Sequence, residues 1–293
     1  MFELNAEKLI ALLQKEQITI GEYAVRSDME AKGVSREQVF DKMKTMVKVM
    51  REAAEKAANS PVKSVSGLTG GDAYRFHEYV RQGKSICGSV IANAMTMALS
   101  CSEVNASMQR IVACPTAGSC GIVPAAVFST AHEYNKSEEE ILMALFTASG
   151  VGILIGSNAT LAGSEGGCQA ECGAAASMAA AAVTELLGGT PEQAFHASAM
   201  ALKNVMGLVC DPVAGLVEIP CIKRNASGVV NAVICADLAL AGVRSYIPFD
   251  DVVGAMYEVG KAMSPKLRET SLGGLAATPT GEKLRKQVQD ANK

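Results

Sequence analysis

Gly163–Ala182 reads GSEGGCQAECGAAASMAAAA, a glycine-rich loop carrying two cysteines that runs straight into an alanine-rich segment. Alanine is the strongest helix former, so Ala174–Ala182 predicts a helix. It has no polar stripe, which predicts burial on every side. Its small side chains allow other helix backbones to approach closely. Outward from this segment, the other signals are also helical. Ser35 with Gln38 and Ser137 with Glu140 read as capping boxes. Phe40, Met43, Val47, Met50 and Ala54 recur at helical spacing. Thr190-Pro191 reads as an N-cap followed by proline at the first helical position. Asp250 or Asp251 is expected to cap a helix over 252–263. The apolar segment 225–243 is too long for a strand, and about ten helices are expected in all.

The chain is therefore expected to be all-α: a single large helical domain with cysteine-bearing, Gly/Pro-rich loops around a buried Ala-rich helix. N-terminal helices are expected over 1–60, the core over 61–275 and a polar tail over 276–293. Composition agrees. Of 293 residues, 49% are hydrophobic, 4% are aromatic, 14 are Met and none is Trp. Such a core suits close-packed helices.

The net charge of −3 comes with no basic stripe, RNP-like aromatics or zinc-finger spacing, so nucleic acid is not an expected partner. The opening MFELNAEKLI carries Glu3 and Glu7 without a basic leader region, which predicts a cytoplasmic protein without a secretory signal. The apolar run over 141–163 is broken by Gly, Ser, Thr and Asn and falls short of a clean span of about 20 apolar residues. It reads as a buried helix, and no membrane association is expected.

Nine cysteines remain to be explained. In a reducing compartment, loop cysteines are more often metal ligands or catalytic groups than disulfides. Cys87, Cys101 and Cys235 sit in apolar helical segments and read as small hydrophobes. Cys114 and Cys120 flank a Gly-Pro loop and read as packing residues. Cys168, Cys172, Cys210 and Cys221 lie beside glycines that free the backbone or prolines that stiffen it, as loops wrapping a thiolate metal centre do. Their spacing matches neither a ferredoxin run nor a C-x2-C zinc knuckle. The pattern alone leaves iron–sulfur, a zinc edge and a Cys168–Cys172 redox pair open.

Taken together, GCQAECGAAASMAAAA, CDPVAGLVEIPCIKRN (210–225) and PTAGSCGIVPA (115–125) resemble the iron–sulfur L-serine dehydratases, or L-serine ammonia-lyases. The resemblance is to the α chain of the two-subunit type and covers roughly 64–275. It implies that Cys168, Cys210 and Cys221, separated by 42 and 11 residues, hold a 4Fe–4S cluster, with Cys172 outside the ligand set. Three thiolates leave one iron open, and that iron would serve as a Lewis acid on the hydroxyl of L-serine. Water is eliminated, and the product hydrolyses to pyruvate and ammonia. Single-chain members carry an N-terminal domain with an S-S-S-H-T type loop that this sequence lacks. A separate β chain is expected to supply it, and with it the base.

On that reading Arg224 is the expected donor to the substrate carboxylate, through its planar fork. Lys223 reads as a surface residue. Asn158, Ser164 and Asn225 are expected to orient substrate or the cluster. Ser66, Thr69, Gly70 and Gly71 precede a helix start whose free N–H groups make an anion site, and Thr116 and Gly118 have the same standing. His132 and His196 read as helix residues, and His77 is the least unsuited of the three to be a base. A pyridoxal-phosphate lyase would need alternating strands and a lysine motif that are absent here. An L-cysteine desulfidase, an L-threonine dehydratase and a non-catalytic metal-stabilised helical subunit stay open as alternatives.

Overall fold

A computed structural model describes residues 5–291 of the chain. Its thirteen α-helices are α1 (Ala6–Glu16), α2 (Ile20–Lys32), α3 (Arg36–Asn59), α4 (Asp72–Arg81), α5 (Ser89–Ala106), α6 (Ile122–Glu133), α7 (Glu138–Asn158), α8 (Gly163–Gly166), α9 (Ala174–Leu186), α10 (Pro191–Lys203), α11 (Cys221–Leu240), α12 (Phe249–Ala262) and α13 (Pro279–Ala291). Among the described residues there is no sheet; two isolated bridges join Lys63 to Gly70 and Cys210 to Arg268. The fold is all-α, as expected. The helices outnumber the expectation because short elements such as the four-residue α8 offer no periodicity to read.

The hub is α9. Ala174 through Thr184 are all buried, and α6, α7, α10 and α11 pack around them. Ser177 of α9 and Ser198 of α10 donate to each other's carbonyls at 3.1 and 2.9 Å. Such an exchange requires two backbones in near contact, which alanine and serine side chains permit. α7 is apolar and long enough to cross a membrane, with a mean hydropathy of 1.7, yet 67% of that stretch is buried inside the fold. It packs on α9 and α2. The core runs continuously from Ala6 to Met256.

Helix starts are set by two devices. Local capping boxes form at Ser35/Gln38 and Ser137/Glu140, as expected, and also at Thr190/Gln193, where the sequence predicts only the N-cap. The second device is long-range. α12 begins at Phe249 behind Pro248, so Asp250 lies inside that helix and does not cap it. Its carboxylate instead accepts from Ala6 N and Glu7 N at the start of α1, at 2.8 and 3.2 Å. Glu185 of α9 does the same for Ile20 N and Gly21 N of α2, at 2.7 and 3.3 Å. Glu103 of α5 serves Asp72 N and Ala73 N of α4, at 2.6 and 3.4 Å. A carboxylate against the first amides of a helix satisfies unpaired donors and complements the dipole.

Two further expectations shift. The helix expected over 225–243 starts earlier, at Cys221, and ends at Leu240. Cys87 is not within a helix; it is half-buried just ahead of α5. Glu3, part of the leader reading, and the last two residues of the polar tail lie outside the described residues.

Candidate metal centre

Three segments bring cysteines to one floor of the bundle. Cys168 stands between α8 and a π-helical turn over Gln169–Gly173 that opens into α9; such turns recur at functional sites because they widen the helix locally. Gln169, fully buried, fastens this turn. Its backbone N–H donates to Leu208 O at 3.0 Å, its Nε2 to Met256 O at 2.9 Å, and its Oε1 accepts from Gly207 N at 2.8 Å. The chain then reaches Cys210, which is pinned on both sides: Cys210 N donates to Leu267 O and Glu269 N to Cys210 O, each at 2.8 Å. Cys221 opens α11 directly after Pro220.

The thiols on this floor feel one another's charge. All nine cysteines are free, and Cys168, Cys172, Cys210 and Cys221 are buried. Burial pushes the Cys221 thiol up to about 12, with the charge of Cys168 adding to it. Burial also raises Cys210 strongly, with Glu171, Cys168 and Cys221 all opposing its ionisation. Cys168 is the exception. The Cys168 and Cys172 sulfurs share a hydrogen bond at 3.4 Å, and that contact, together with the Arg224 charge, holds Cys168 below the ordinary thiol range. The same contact, with burial, raises Cys172 well above that range. Desolvation likewise pushes the half-buried Cys114 and the buried Cys120 each to about 12.

Glu171 escaped the sequence reading. It lies three residues after Cys168, which on a helical turn places both on one face. Its Oε2 is 3.7 Å from Cys210 Sγ. Burial raises its carboxyl, and the Thr116 hydroxyl pulls it back. A Cβ on Gly163 would sit 3.2 Å from Cys210 Sγ and collide with the Glu171 carboxylate, so a glycine is required there. A Cβ on Gly118 would lie 3.5 Å from Oε1 of the same carboxylate.

Arg224 is brought to the cysteines, but its fork is committed. Nη1 donates to Val209 O at 2.8 Å and Nη2 to Asp211 Oδ1 at 2.9 Å; Asp211 is 3% exposed and also accepts from Leu275 N. Asn225 is fully buried and spent on architecture. Its Oδ1 accepts from Gly121 N at 2.9 Å, and its Nδ2 donates to Gly118 O and Cys221 O at 2.7 and 3.0 Å. It therefore locks the 115–125 loop to the helix that begins at Cys221.

The 66–71 loop turns toward the same segment. Ser66 and Thr69 both donate to Glu218 Oε2, at 3.0 and 2.6 Å, and Glu218 is buried. Gly70, at φ 136°, runs so close to Val62 that a side chain would strike the backbone. The first amides of α4 are not free as expected, because Glu103 already takes them. Lys223 pairs with Asp72, which also pairs with Arg75. Two candidates lie away from the thiols. Asn158 is exposed and donates back to Leu154 O within α7. Ser164 is exposed on a cleft of about 390 Å³ with Glu165, Tyr257, Lys261, Arg268 and Thr270. His77 bonds Ala58 O, and His196 faces Glu192.

Among the described residues no three His, Cys, Asp or Glu donors close on a single-ion site. Thiolates around one zinc would stand about 3.8 Å apart, given Zn–S bonds of about 2.3 Å. A cubane spreads its ligands more widely. Three buried thiols from three segments that feel one another's charge, with Gly163 leaving room beside Cys210, are a donor set suited to an iron–sulfur cluster.

A family model described as serine dehydratase alpha chain matches residues 15–276. The probable L-serine dehydratase alpha chain of Bacillus subtilis (strain 168) is 48% identical over 284 residues, covering 97% of this chain and 94% of the relative. The L-serine dehydratase alpha chain of Peptoniphilus asaccharolyticus is 49% identical over 282 residues, covering 96% and 97%. The L-serine dehydratase of Helicobacter pylori (strain ATCC 700392 / 26695) is 36% identical over 286 residues, which are 94% of this chain and 61% of that longer one.

Proposed function

The chain belongs to the serine dehydratase alpha chain family, and from that premise we propose that it is the catalytic α chain of an L-serine ammonia-lyase, converting L-serine to pyruvate and ammonia. The observation that carries the reading is the convergence of Cys168, Cys210 and Cys221, each buried and each raising or feeling the charge of the others. These three would hold a 4Fe–4S cluster. Bound there, it would supply Lewis-acid chemistry for loss of the substrate hydroxyl.

The other residues act around that centre. Arg224 stabilises the Cys168 thiolate and is itself oriented by Asp211. Glu171, with Thr116 and Gly118 against it, walls the floor beside Cys210. Asn225 fixes that wall to the Cys221 helix. Ser66, Thr69, Gly70 and Gly71 form the substrate-side loop, its height set by Glu218. Ser164 stands on the rim, and Asn158 ends the helix leading to it. Removing the α-proton requires a base. His77 bonds Ala58 O and His196 faces Glu192, and the base is supplied by a separate β chain. The assembly works in the cytoplasm, where free thiols stay reduced.

The test is anaerobic reconstitution of this chain with its β chain, iron and sulfide, followed by assays on three amino acids. The expected result is brown protein forming pyruvate from L-serine faster than oxobutyrate from L-threonine or sulfide from L-cysteine. Bound zinc and no pyruvate would overturn the reading. Sulfide as the main product would transfer it to cysteine.

A further inference from the structure

The π-helical turn over Gln169–Gly173 brings together two sulfurs, one of which lies outside the ligand set. Cys168 Sγ and Cys172 Sγ stand 3.4 Å apart and share a hydrogen bond. Other cysteine sulfurs bond elsewhere: Cys120 to Cys101 O, Cys210 to Glu171 and Cys235 to Asn231. The turn itself explains the approach. A wider turn takes more residues and rises less with each, so residues four apart draw closer along its axis than on an α-helix.

The pair is held in register. Gln169, which lies between the two cysteines, fastens the turn to Leu208, Met256 and Gly207. A disulfide has an S–S bond of about 2.05 Å, so the sulfurs have only about 1.4 Å left to close. Burial selects the reactants. Cys168 is 2% exposed and Cys172 4%, which leaves no room for a bulky thiol to stay on either sulfur as a mixed disulfide. A small oxidant and the neighbouring cysteine do fit.

We propose that hydrogen peroxide converts Cys168 and Cys172 of the metal-free chain into a reversible disulfide, a redox modification that withdraws Cys168 from cluster assembly. In the first step peroxide oxidises one sulfur to a sulfenic acid; the O–O bond breaks and one water leaves. In the second, the other sulfur attacks that sulfenyl sulfur, the S–O bond breaks, and the hydroxyl leaves as water with the remaining thiol proton. Two thiols together lose two electrons and two protons, and one peroxide becomes two waters. The disulfide also shields Cys168 from the irreversible sulfinic acid. A dithiol reductant restores both thiols by exchange. The pairing stands on geometry; its effect on iron rests on the reading of Cys168 as a cluster ligand.

The test separates the two. Tryptic cleavage after Lys136 and Lys203 releases a peptide over 137–203 whose only cysteines are Cys168 and Cys172. The full chain, metal-free and folded, is treated with hydrogen peroxide, alkylated in denaturant, digested and weighed. The wild-type peptide should carry no alkyl group and be about 2 Da lighter than its dithiol form. Dithiothreitol before alkylation should return both thiols. Cys172→Ser should instead leave Cys168 as a sulfinic acid, about 32 Da heavier, that dithiothreitol does not repair. Uptake of iron and sulfide should be lost in the peroxide-treated wild type and return with dithiothreitol; in Cys172→Ser it should not return. Two alkylated thiols in the wild-type peptide, or a link from either cysteine to Cys210 or Cys221, would overturn the pair. Equal recovery of Cys168 in Cys172→Ser would overturn its shielding. A disulfide within this peptide in a chain that takes up iron as before would uphold the pair while sinking Cys168 as a ligand.

Discussion

The hub around α9 and the floor that carries the cysteines hold together by different physics. In the hub, Ala174 to Thr184 are buried among four other helices, and few polar groups take part. The fit there is one of volume. On the floor, Asp211, Glu218, Asn225 and Gln169 each reach two or more partners from distant segments. The fit there is one of charge and donors. The hub should therefore punish added bulk and forgive lost hydrogen bonds, and the floor should do the reverse.

The largest expected effect is at the floor. Cys168→Ala, Cys210→Ala and Cys221→Ala should each remove the visible colour, the bound iron and sulfide, and pyruvate formation. Cys235→Ala, deep in α11 and away from these thiols, should lose none of them. Iron retained in any of the three would break the comparison at its centre. Next comes Asp211→Asn, which leaves Arg224 buried without its counter-charge. Breaking a buried pair costs about 3–5 kcal/mol, measurable by denaturant unfolding.

The hub follows. Ala180→Leu adds volume where the fully buried Ala180 has no space to give, and overpacking costs about 1–3 kcal/mol. Ser198→Ala removes one half of the exchange with Ser177 and should cost about 1 kcal/mol. If Ser198→Ala hurt more than Ala180→Leu, the division between volume and polarity would fail.

The smallest effect is at the surface. The backbone N–H of Ser137 and the side chain of Lys136 hold the exposed Glu140 carboxyl down at about 2, against an ordinary 4.5. A depressed carboxyl stabilises the fold above its unfolded value, and that contribution disappears as pH falls toward the folded one. Wild type should melt slightly above Glu140→Gln at pH 6, and the gap should close between pH 4.5 and 2. A gap that widens in acid would contradict the sign.

Much of the hub was legible in the sequence. Alanine runs, S-x-x-E/Q boxes and Thr-Pro starts act within a turn of themselves, so their physics is local. The floor was legible only in its cysteines, and their grouping came from a family resemblance, not from spacing. Its supports could not be read because each pairs across the chain: Ser66 with Glu218 across 152 residues, Asn225 with Gly118 across 107. Asp250 misled for the same reason, since its partners lie at the other end of the protein. Glu171 was within reach, because a carboxylate three residues after a candidate ligand on a helical turn shares its face.

The long-range carboxylates also bear on how the chain matures. Asp250 follows Ala6 by 244 residues, and Glu185 follows Ile20 by 165. A ribosome releases α1 and α2 first, yet the groups that fasten their leading amides arrive only with the later part of the message. The opening helices must wait on the growing polypeptide, so a translational stall before codon 185 would strand both with their leading amides unclasped and leave them exposed to proteases and chaperones.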